Sequence, residues 1–166
     1  MVYADCVHAD GGYHGAVVPD CVPVHDSAVR RRPQVSGGGD NCAASGEFRL
    51  TAAYRQNQSF LYTIEGTDQP YPMNYALRFY VNGEGRSYWI HGRDMPGSPA
   101  SYGCIGLYDE SMQKEAYGLP KDPELNDGQR LFQWVLGGEV EDERVLPLPQ
   151  GPRVHIIGQA PGLQPS

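Results

Sequence analysis

The alternation of apolar and polar residues along the chain predicts a mainly β protein. Residues 46–53 alternate most clearly, so that Phe48 and Leu50 can face a core while the polar residues between them face water. Residues 75–81 and 88–91 are two further predicted strands, joined by a hairpin-like Asn-Gly-Glu-Gly turn. Shorter strands are predicted at residues 2–4, 15–18, 28–35, 60–64 and 153–157.

Two segments have helical spacing instead. The first is a helix candidate that begins near Asp109 and ends at residue 117. The second covers residues 127–136, where Asp127 can cap the first turn and a Gly-Gly pair ends the last. Three apolar residues of this second helix share a face: Leu131, Trp134 and Val135. The predicted fold is therefore a β-sandwich or mixed sheet with one or two short helices.

Length and composition fit one domain, which we expect to be a monomer. The 166 residues are enough for one core and few for two. We expect a strand and loop segment at 1–27, packed on a main domain at 28–158, and a loose tail at 159–166. The net charge of −7 argues against nucleic-acid binding. No apolar run is long enough to predict a transmembrane segment.

One pair of residues carries the candidate chemistry. His91 and Cys104 lie thirteen positions apart, separated by a segment rich in glycine, proline and serine. A thiol and an imidazole are the minimum set for a thiolate nucleophile with a general base. Gly103 lets backbone N–H groups approach the sulfur, where an oxyanion can be held. The alternative is that Cys104 is a small buried apolar residue and His91 an ordinary strand residue.

The residues around this pair form a longer pattern. It comprises residues 70–79, His91-Gly92 and residues 96–104, which end in Ser-Tyr-Gly-Cys followed by Ile-Gly. This pattern resembles the L,D-transpeptidase catalytic (YkuD-type) domain family, which carries a His-Gly pair followed by Ser/Thr-x-Gly-Cys. The chain departs from it at Tyr102, where many members have histidine, and at Gly106, where many have arginine or asparagine. Weaker matches extend the resemblance from about residue 28 to 157: 34–38, 43–50, 128–135 and 151–157.

The resemblance implies a YkuD-like fold for the main domain and a cysteine L,D-transpeptidase that needs no cofactor. Cys104 is then the nucleophile, His91 is the general base, and the backbone carbonyl of Gly92 orients the imidazole. The backbone N–H groups of Gly103 and Cys104 form the oxyanion hole, and Ser101 shapes the turn or donates a hydrogen bond near the site.

The implied substrates are peptidoglycan stem peptides, as donor and as acceptor. The thiolate attacks the carbonyl of the third stem-peptide residue, meso-diaminopimelate in many bacteria, and releases the terminal D-alanine. An amine of another stem peptide then takes the acyl group from the thioester, which gives a 3-3 cross-link or a variant such as 1-3. The expected location is the periplasm or the extracytoplasmic cell wall, with the export signal outside this sequence.

Six residues are candidates for substrate binding. Arg78 and Arg93 can pair with stem-peptide carboxylates, because a guanidinium fork suits a carboxylate. The others can line or shield a cleft beside the sulfur: Tyr75, Trp89, Met73 and Tyr102.

The other cysteines are candidates for a disulfide or for a metal site. Cys6 with Cys21 is the expected disulfide in an oxidising compartment, although pairing of either with Cys42 stays open. Thiolate and imidazole are also zinc ligands, and the N-terminal segment contains five such residues: Cys6, His8, His14, Cys21 and His25. Their spacing does not form the close pairs that structural zinc sites favour, so we expect no metal.

Two other functions stay open. The first is a peptidoglycan carboxypeptidase or endopeptidase on the same fold, in which water is the normal acceptor. The second is a non-catalytic wall-binding or zinc-stabilised module, in which Cys104 is inert.

Overall fold

The computed structural model describes residues 3–6, 35–37, 46–94 and 102–158. Residues 3–6, 35–37, 102, 157 and 158 are described by their backbone alone. The strands of this part are β1 (Tyr3–Cys6), β2 (Val35–Gly37), β3 (Gly46–Arg49), β4 (Ala52–Thr63), β5 (Pro70–Val81), β6 (Ser87–Arg93), β7 (Tyr102–Tyr108), β8 (Leu146–Pro147) and β9 (Arg153–Gly158). The helices are α1 (Glu110–Tyr117) and α2 (Asp127–Leu136).

The described strands form two sheets. The larger has the order β2-β7-β6-β5-β4-β8 and the smaller the order β1-β9-β3. In the larger sheet β6 and β7 run parallel, whereas every other pair is antiparallel. The smaller sheet also combines a parallel pair, β1 with β9, and an antiparallel pair, β3 with β9. The prediction of a mainly β fold with a mixed sheet and short helices is confirmed.

The core lies between one face of the larger sheet, the smaller sheet and α2. On the larger sheet, Leu77 is level with Ile90 and Ile90 is level with Ile105, so the three side chains share a face. Each of the three is about 1% exposed. Further members of this apolar cluster come from the region of the smaller sheet and from α2: Leu50, Val154, Ile156, Leu131 and Phe132. Full burial of one such side chain contributes roughly 1.5–3 kcal/mol, so the cluster holds the strand register.

The prediction of one continuous strand over residues 46–53 is wrong, because the chain passes from the smaller sheet to the larger one within this segment. The N–H of Leu50 donates to the Pro152 carbonyl at 2.9 Å, on the side of the smaller sheet. The N–H of Thr51 donates to the Arg78 carbonyl at 2.8 Å, on the larger sheet. One alternating pattern therefore covers β3 and the start of β4. The predicted core positions Phe48 and Leu50 do face the core.

The strands predicted at 60–64 and 75–81 are only parts of two longer ones. β4 and β5 each have 12 residues and pair from Ala52–Arg78 to Thr63–Pro70, with one irregularity. The polar middle of β4 hides this length from a hydrophobicity pattern, because backbone pairing requires no apolar side chains. The predicted turn is present, since the Gly85 N–H donates to the Asn82 carbonyl at 3.0 Å.

Both predicted helices are present, with two corrections in α2. Asp109 caps α1, where its Oδ1 accepts from the Met112 N–H at 3.0 Å. The N-cap of α2 is Asn126 and not Asp127, which is the first helical residue. The buried face also differs from the prediction, because Phe132 is 1% exposed and Trp134 is 43% exposed.

Several predictions lie outside the described residues. These are the strand at 15–18, all of the strand at 28–35 except its last residue, the tail at 159–166, and the side chains of the N-terminal disulfide and zinc candidates. The strand predicted at 2–4 overlaps β1.

Gly128 lies where α2 packs very closely against β6. A Cβ atom added at Gly128 would lie 2.9 Å from the Cα of Gly92 and 3.1 Å from its nitrogen. Both distances are too short for an ordinary contact, and the atoms opposed are backbone atoms that cannot rotate away. A glycine at this position therefore allows the first turn of α2 to rest on β6 next to His91.

We predict that Gly128→Ala lowers the free energy of unfolding by about 1–3 kcal/mol, although alanine has the higher helix propensity. Urea unfolding at neutral pH measures the change. Gly83→Ala is the matched control, because a Cβ there meets nothing within 4 Å. Equal or greater stability of Gly128→Ala would contradict the packing argument.

Candidate active site

The parallel pairing of β6 and β7 places His91 and Cys104 on the same face of the larger sheet. His91 is level with Gly106, and Ile90 is level with Ile105. Cys104 is two residues from Gly106 and therefore points to the same side as Gly106 and His91. A strand spacing of about 4.8 Å and a rise of about 3.3 Å per residue put the Cα atoms of His91 and Cys104 roughly 8 Å apart. Their side chains can meet above the sheet.

Cys104 is present as a partly buried thiol. Burial raises the pKa of this thiol, whereas a hydrogen bond with the backbone of Trp89 and the positive charge of Arg93 act in the opposite direction. The net shift is upward, so the group is a protonated thiol at neutral pH. The preceding Gly103 has φ +97°, a conformation that favours glycine.

His91 is buried and held in one orientation. It is 4% exposed, and its Nδ1 lies 2.9 Å from the carbonyl oxygen of Gly92. A carbonyl oxygen can only accept, so Nδ1 carries the hydrogen and Nε2 of the neutral ring carries the lone pair. Burial lowers the pKa of His91 to about 4, with a smaller contribution in the same direction from the charge of Arg93. The imidazole is therefore a neutral base at physiological pH.

Gly92, which accepts this hydrogen bond, is enclosed on its other side. A Cβ added at Gly92 would lie 2.6 Å from the Oδ2 of Asp109, and Gly128 of α2 packs on the same Cα. Asp109 is 2% exposed, and burial raises the pKa of its carboxyl. The sequence marked Asp109 only as the start of a helix. Its contact with the residue that orients His91 depends on the folded chain.

A comparison with protein-family models identifies the chain. The model described as the L,D-transpeptidase catalytic domain (YkuD) matches residues 22–155. The chain belongs to the YkuD family. It is thus an L,D-transpeptidase-type enzyme of a family that acts on peptidoglycan. No curated protein and no solved structure matches the chain.

Two of the residues predicted to bind substrate lie beside Cys104. Trp89 precedes Ile90 on β6 and is therefore level with Cys104 and on its face. Arg78 is level with Trp89 on the next strand, and its guanidinium carbon lies 5.8 Å from the centre of the indole ring. The Nε of Arg78 also donates to the Thr51 hydroxyl at 3.1 Å. Arg78 is half-buried and remains accessible to a ligand on this face.

The structure does not bring Tyr75 to the sulfur. Its ring packs on that of Phe132 with 5.7 Å between centroids, towards the core and α2. Tyr75 has φ +57°, the only described non-glycine residue with a positive φ, and burial raises the pKa of its phenol. Met73 is also buried, at 9% exposure. Ser101 and the side chains of Tyr102, Cys6 and Cys21 lie outside the described residues.

Arg93 is on the face of Cys104, but it is engaged by the protein itself. It is 7% exposed, and its Nε donates to the carbonyl of Asp94 at 2.8 Å. The carboxylate of Asp94 accepts a hydrogen bond from the Tyr71 hydroxyl. The burial of Arg93 does not favour its expected pairing with a substrate carboxylate. The contact between Tyr71 and Asp94 was not predictable, because it depends on the folded chain.

Other features of the described part do not compete with this site. A polar cavity of about 590 Å³ lies between β4, β5 and α1, with Arg55, Asn74 and Glu115 in its wall, but neither Cys104 nor His91 lines it. Within residues 46–94 and 102–158, no three His, Cys, Asp or Glu side chains are placed to hold a metal ion. No described helix is long and apolar enough to span a membrane.

We predict that His91 makes the protein less stable in mild acid. Its pKa is about 4 in the folded chain and about 6.5 when unfolded, so the unfolded chain binds the extra proton first as the pH falls. Stability contributed by the neutral ring is complete above about pH 6.5 and is lost towards about pH 4, by up to roughly 3 kcal/mol.

Urea unfolding of wild type and His91→Gln at about pH 7 and about pH 4.5 measures this loss. The variant should lose less stability between the two conditions. Asp109 acts in the opposite direction, since its pKa is raised, but it is common to both proteins. Equal losses in the two proteins would contradict the prediction.

Proposed function

We propose that the chain is a peptidoglycan L,D-transpeptidase in which Cys104 is the nucleophile and His91 the general base. The donor is a stem peptide, cleaved after its third residue with release of D-alanine. The acceptor is an amine of a second stem peptide, and the product is a 3-3 cross-link or a variant such as 1-3. The reaction takes place outside the cytoplasm, in the periplasm or the cell wall.

The observation that carries this proposal is the shared face of His91 and Cys104, together with the bond from His91 Nδ1 to the Gly92 carbonyl. This hydrogen bond leaves the lone pair of the neutral ring on Nε2, and we assign Nε2 as the atom that takes the thiol proton. Because the Gly92 carbonyl has no charge, it orients the ring without raising its basicity as a carboxylate does. The resting pair is therefore a thiol beside a neutral imidazole.

The acylation step follows from this resting state. Nε2 takes the Cys104 proton as the sulfur attacks the donor carbonyl, and a tetrahedral oxyanion forms. The amide C–N bond then breaks, and the imidazolium returns the proton to the departing D-alanine amine. The acceptor amine reverses this sequence at the thioester: it loses a proton through His91, and Cys104 leaves as the thiol.

The positive φ of Gly103 supports an oxyanion hole at the start of β7. We assign the backbone N–H groups of Gly103 and Cys104 to the oxyanion, where each donor is worth about 3 kcal/mol of transition-state stabilisation. Arg78 is assigned to a stem-peptide carboxylate and Trp89 to the wall of the cleft, because both lie on the sulfur's face and level with it.

We predict that purified disaccharide-tetrapeptide, incubated with the wild-type protein, gives dimers that lack one terminal D-alanine. Cys104→Ala should abolish them, and His91→Gln should lower kcat/KM by roughly 10²–10⁴-fold. Mass spectrometry measures the products, and their fragmentation identifies the acceptor residue. His155→Gln is the matched control, because His155 lies on β9 in the smaller sheet.

The products also separate the alternatives. Trimmed monomers without dimers would assign a carboxypeptidase, with water as the acceptor. Full activity of folded Cys104→Ala would overturn the assignment of the nucleophile.

A further inference from the structure

Arg93 crosses from β6 over β7 and covers Gly106. A Cβ added at Gly106 would lie 2.2 Å from the Cδ of Arg93 and 2.6 Å from its Cγ. Even an alanine at position 106 would therefore displace the arginine side chain. Gly106 is itself buried and does not have a positive φ, so the space above it is what requires glycine here.

A small hydrogen-bonded cluster holds the guanidinium in place. The Nε of Arg93 donates to the Asp94 carbonyl at 2.8 Å, while its Nη2 is 3.7 Å from the Asp94 carboxylate. The Tyr71 ring centre lies 5.9 Å from the guanidinium carbon. The Tyr71 hydroxyl donates to the same carboxylate and accepts from the Asp94 N–H at 3.0 Å. These contacts hold Arg93 in one position, while the Asp94 carboxylate interacts with both Arg93 and the Tyr71 hydroxyl.

The arginine stem lies on the same face of the sheet as the sulfur. Gly106 is two residues from Cys104 on β7, so the two are neighbours on one face of the strand. The arginine stem that covers Gly106 therefore lies next to the thiol. Arg93 is 7% exposed, and a charge with so little water around it acts more strongly on its neighbours than a surface charge does. This charge lowers the pKa of both Cys104 and His91.

We propose that the positive charge of Arg93 stabilises negative charge on the Cys104 sulfur. We also propose that Gly106 has no side chain because the stem of Arg93 occupies that space. The proposal deepens the proposed function, since it concerns the same nucleophile. Arg93 stabilises the negative charge that develops on the sulfur, both as the sulfur loses its proton to attack and as it leaves the thioester. The Tyr71–Asp94 pair fixes the guanidinium and draws the Asp94 carboxylate towards the phenol.

Several other titratable groups near the sulfur could affect the reactivity of Cys104 as the pH changes. His91 faces it from β6 and titrates near pH 4. Asp94 follows β6 and opposes the charge of Arg93, and Tyr71 of β5 has a raised pKa and stays protonated. Asp109 follows β7 and Tyr117 of α1 faces the cluster of Arg93 and Asp94. At alkaline pH His91 is already neutral and the raised pKa values of Tyr71 and Tyr117 favour their protonated forms, so the profile there reports chiefly the Cys104 thiol.

The test is the rate at which iodoacetamide alkylates Cys104 as a function of pH, followed by mass spectrometry of the peptide that contains it. This rate reports the thiolate and requires no peptidoglycan substrate. Arg93→Met should raise the apparent pKa of Cys104 and slow alkylation at neutral pH by roughly three- to ten-fold. Arg93→Lys, which keeps the charge, should recover most of the rate. Arg86→Met, an exposed arginine on the hairpin, is the matched control.

Two further variants leave Arg93 in the chain. Gly106→Ala should slow alkylation in the same direction, because the methyl group displaces the arginine, whereas Gly83→Ala should not. Tyr71→Phe should also slow it, because the freed Asp94 carboxylate then neutralises the guanidinium. These variants keep the test decisive if Arg93→Met does not fold.

Unchanged alkylation profiles in folded Gly106→Ala, Tyr71→Phe and Arg93→Met would overturn the proposal. The outcome is independent of the proposed function. A response of Cys104 to Arg93 in a protein that makes no cross-links would support this inference and contradict the transpeptidase assignment. If the protein makes cross-links but the alkylation rate of Cys104 does not change with Arg93, the transpeptidase assignment is supported and this inference is contradicted.

Discussion

The parallel pairing of β6 with β7 is the constraint on which the site depends. It sets His91 level with Gly106, and so places the histidine and the cysteine on one face although they are thirteen residues apart. A slip of one residue in β7 would turn Cys104 towards the core and Ile105 towards the site. The burial of Ile105 and Leu107, each at most 2% exposed, prevents that slip. The core packing that stabilises the sheet therefore also fixes the relative placement of His91 and Cys104.

The same packing determines the charge state of the site. β6 is covered on both faces: Ile90 and Gly92 lie under the core and α2, while His91 and Arg93 are buried on the other side. Removal of water disfavours an imidazolium and a thiolate alike, so the resting pair is neutral. Charge must then form during the reaction, and fixed dipoles and a fixed cation are the groups that can stabilise it without reorganising. In the proposed mechanism, the backbone at Gly103 and the guanidinium of Arg93 provide this stabilisation.

The sequence predicts the local features of this structure well and the contacts between elements poorly. The ends of α2 follow from its periodicity and its terminal glycines, and the His91 and Cys104 pair follows from a short motif. The exposure of Trp134 was not predictable, because Phe132 is two residues away on nearly the opposite side of the helix, and Leu131 and Val135 can share a buried face with either. The contact of Asp109 with Gly92 required the register of β7 and the start of α1 together. Periodicity contains no information about which strand lies beside which.

A glycine is required at each of three positions of the site, but the physical cause differs from one to the next. A sequence motif shows the glycines and not these causes. Gly103 satisfies a backbone angle, Gly92 admits a carboxylate and a helix, and Gly106 admits the stem of Arg93. The first reason concerns one residue alone, whereas the other two are relations between residues. Sequences with a side chain at position 106 cannot hold an arginine at position 93 in this way. A substitution at either position therefore has to be interpreted with the residue at the other.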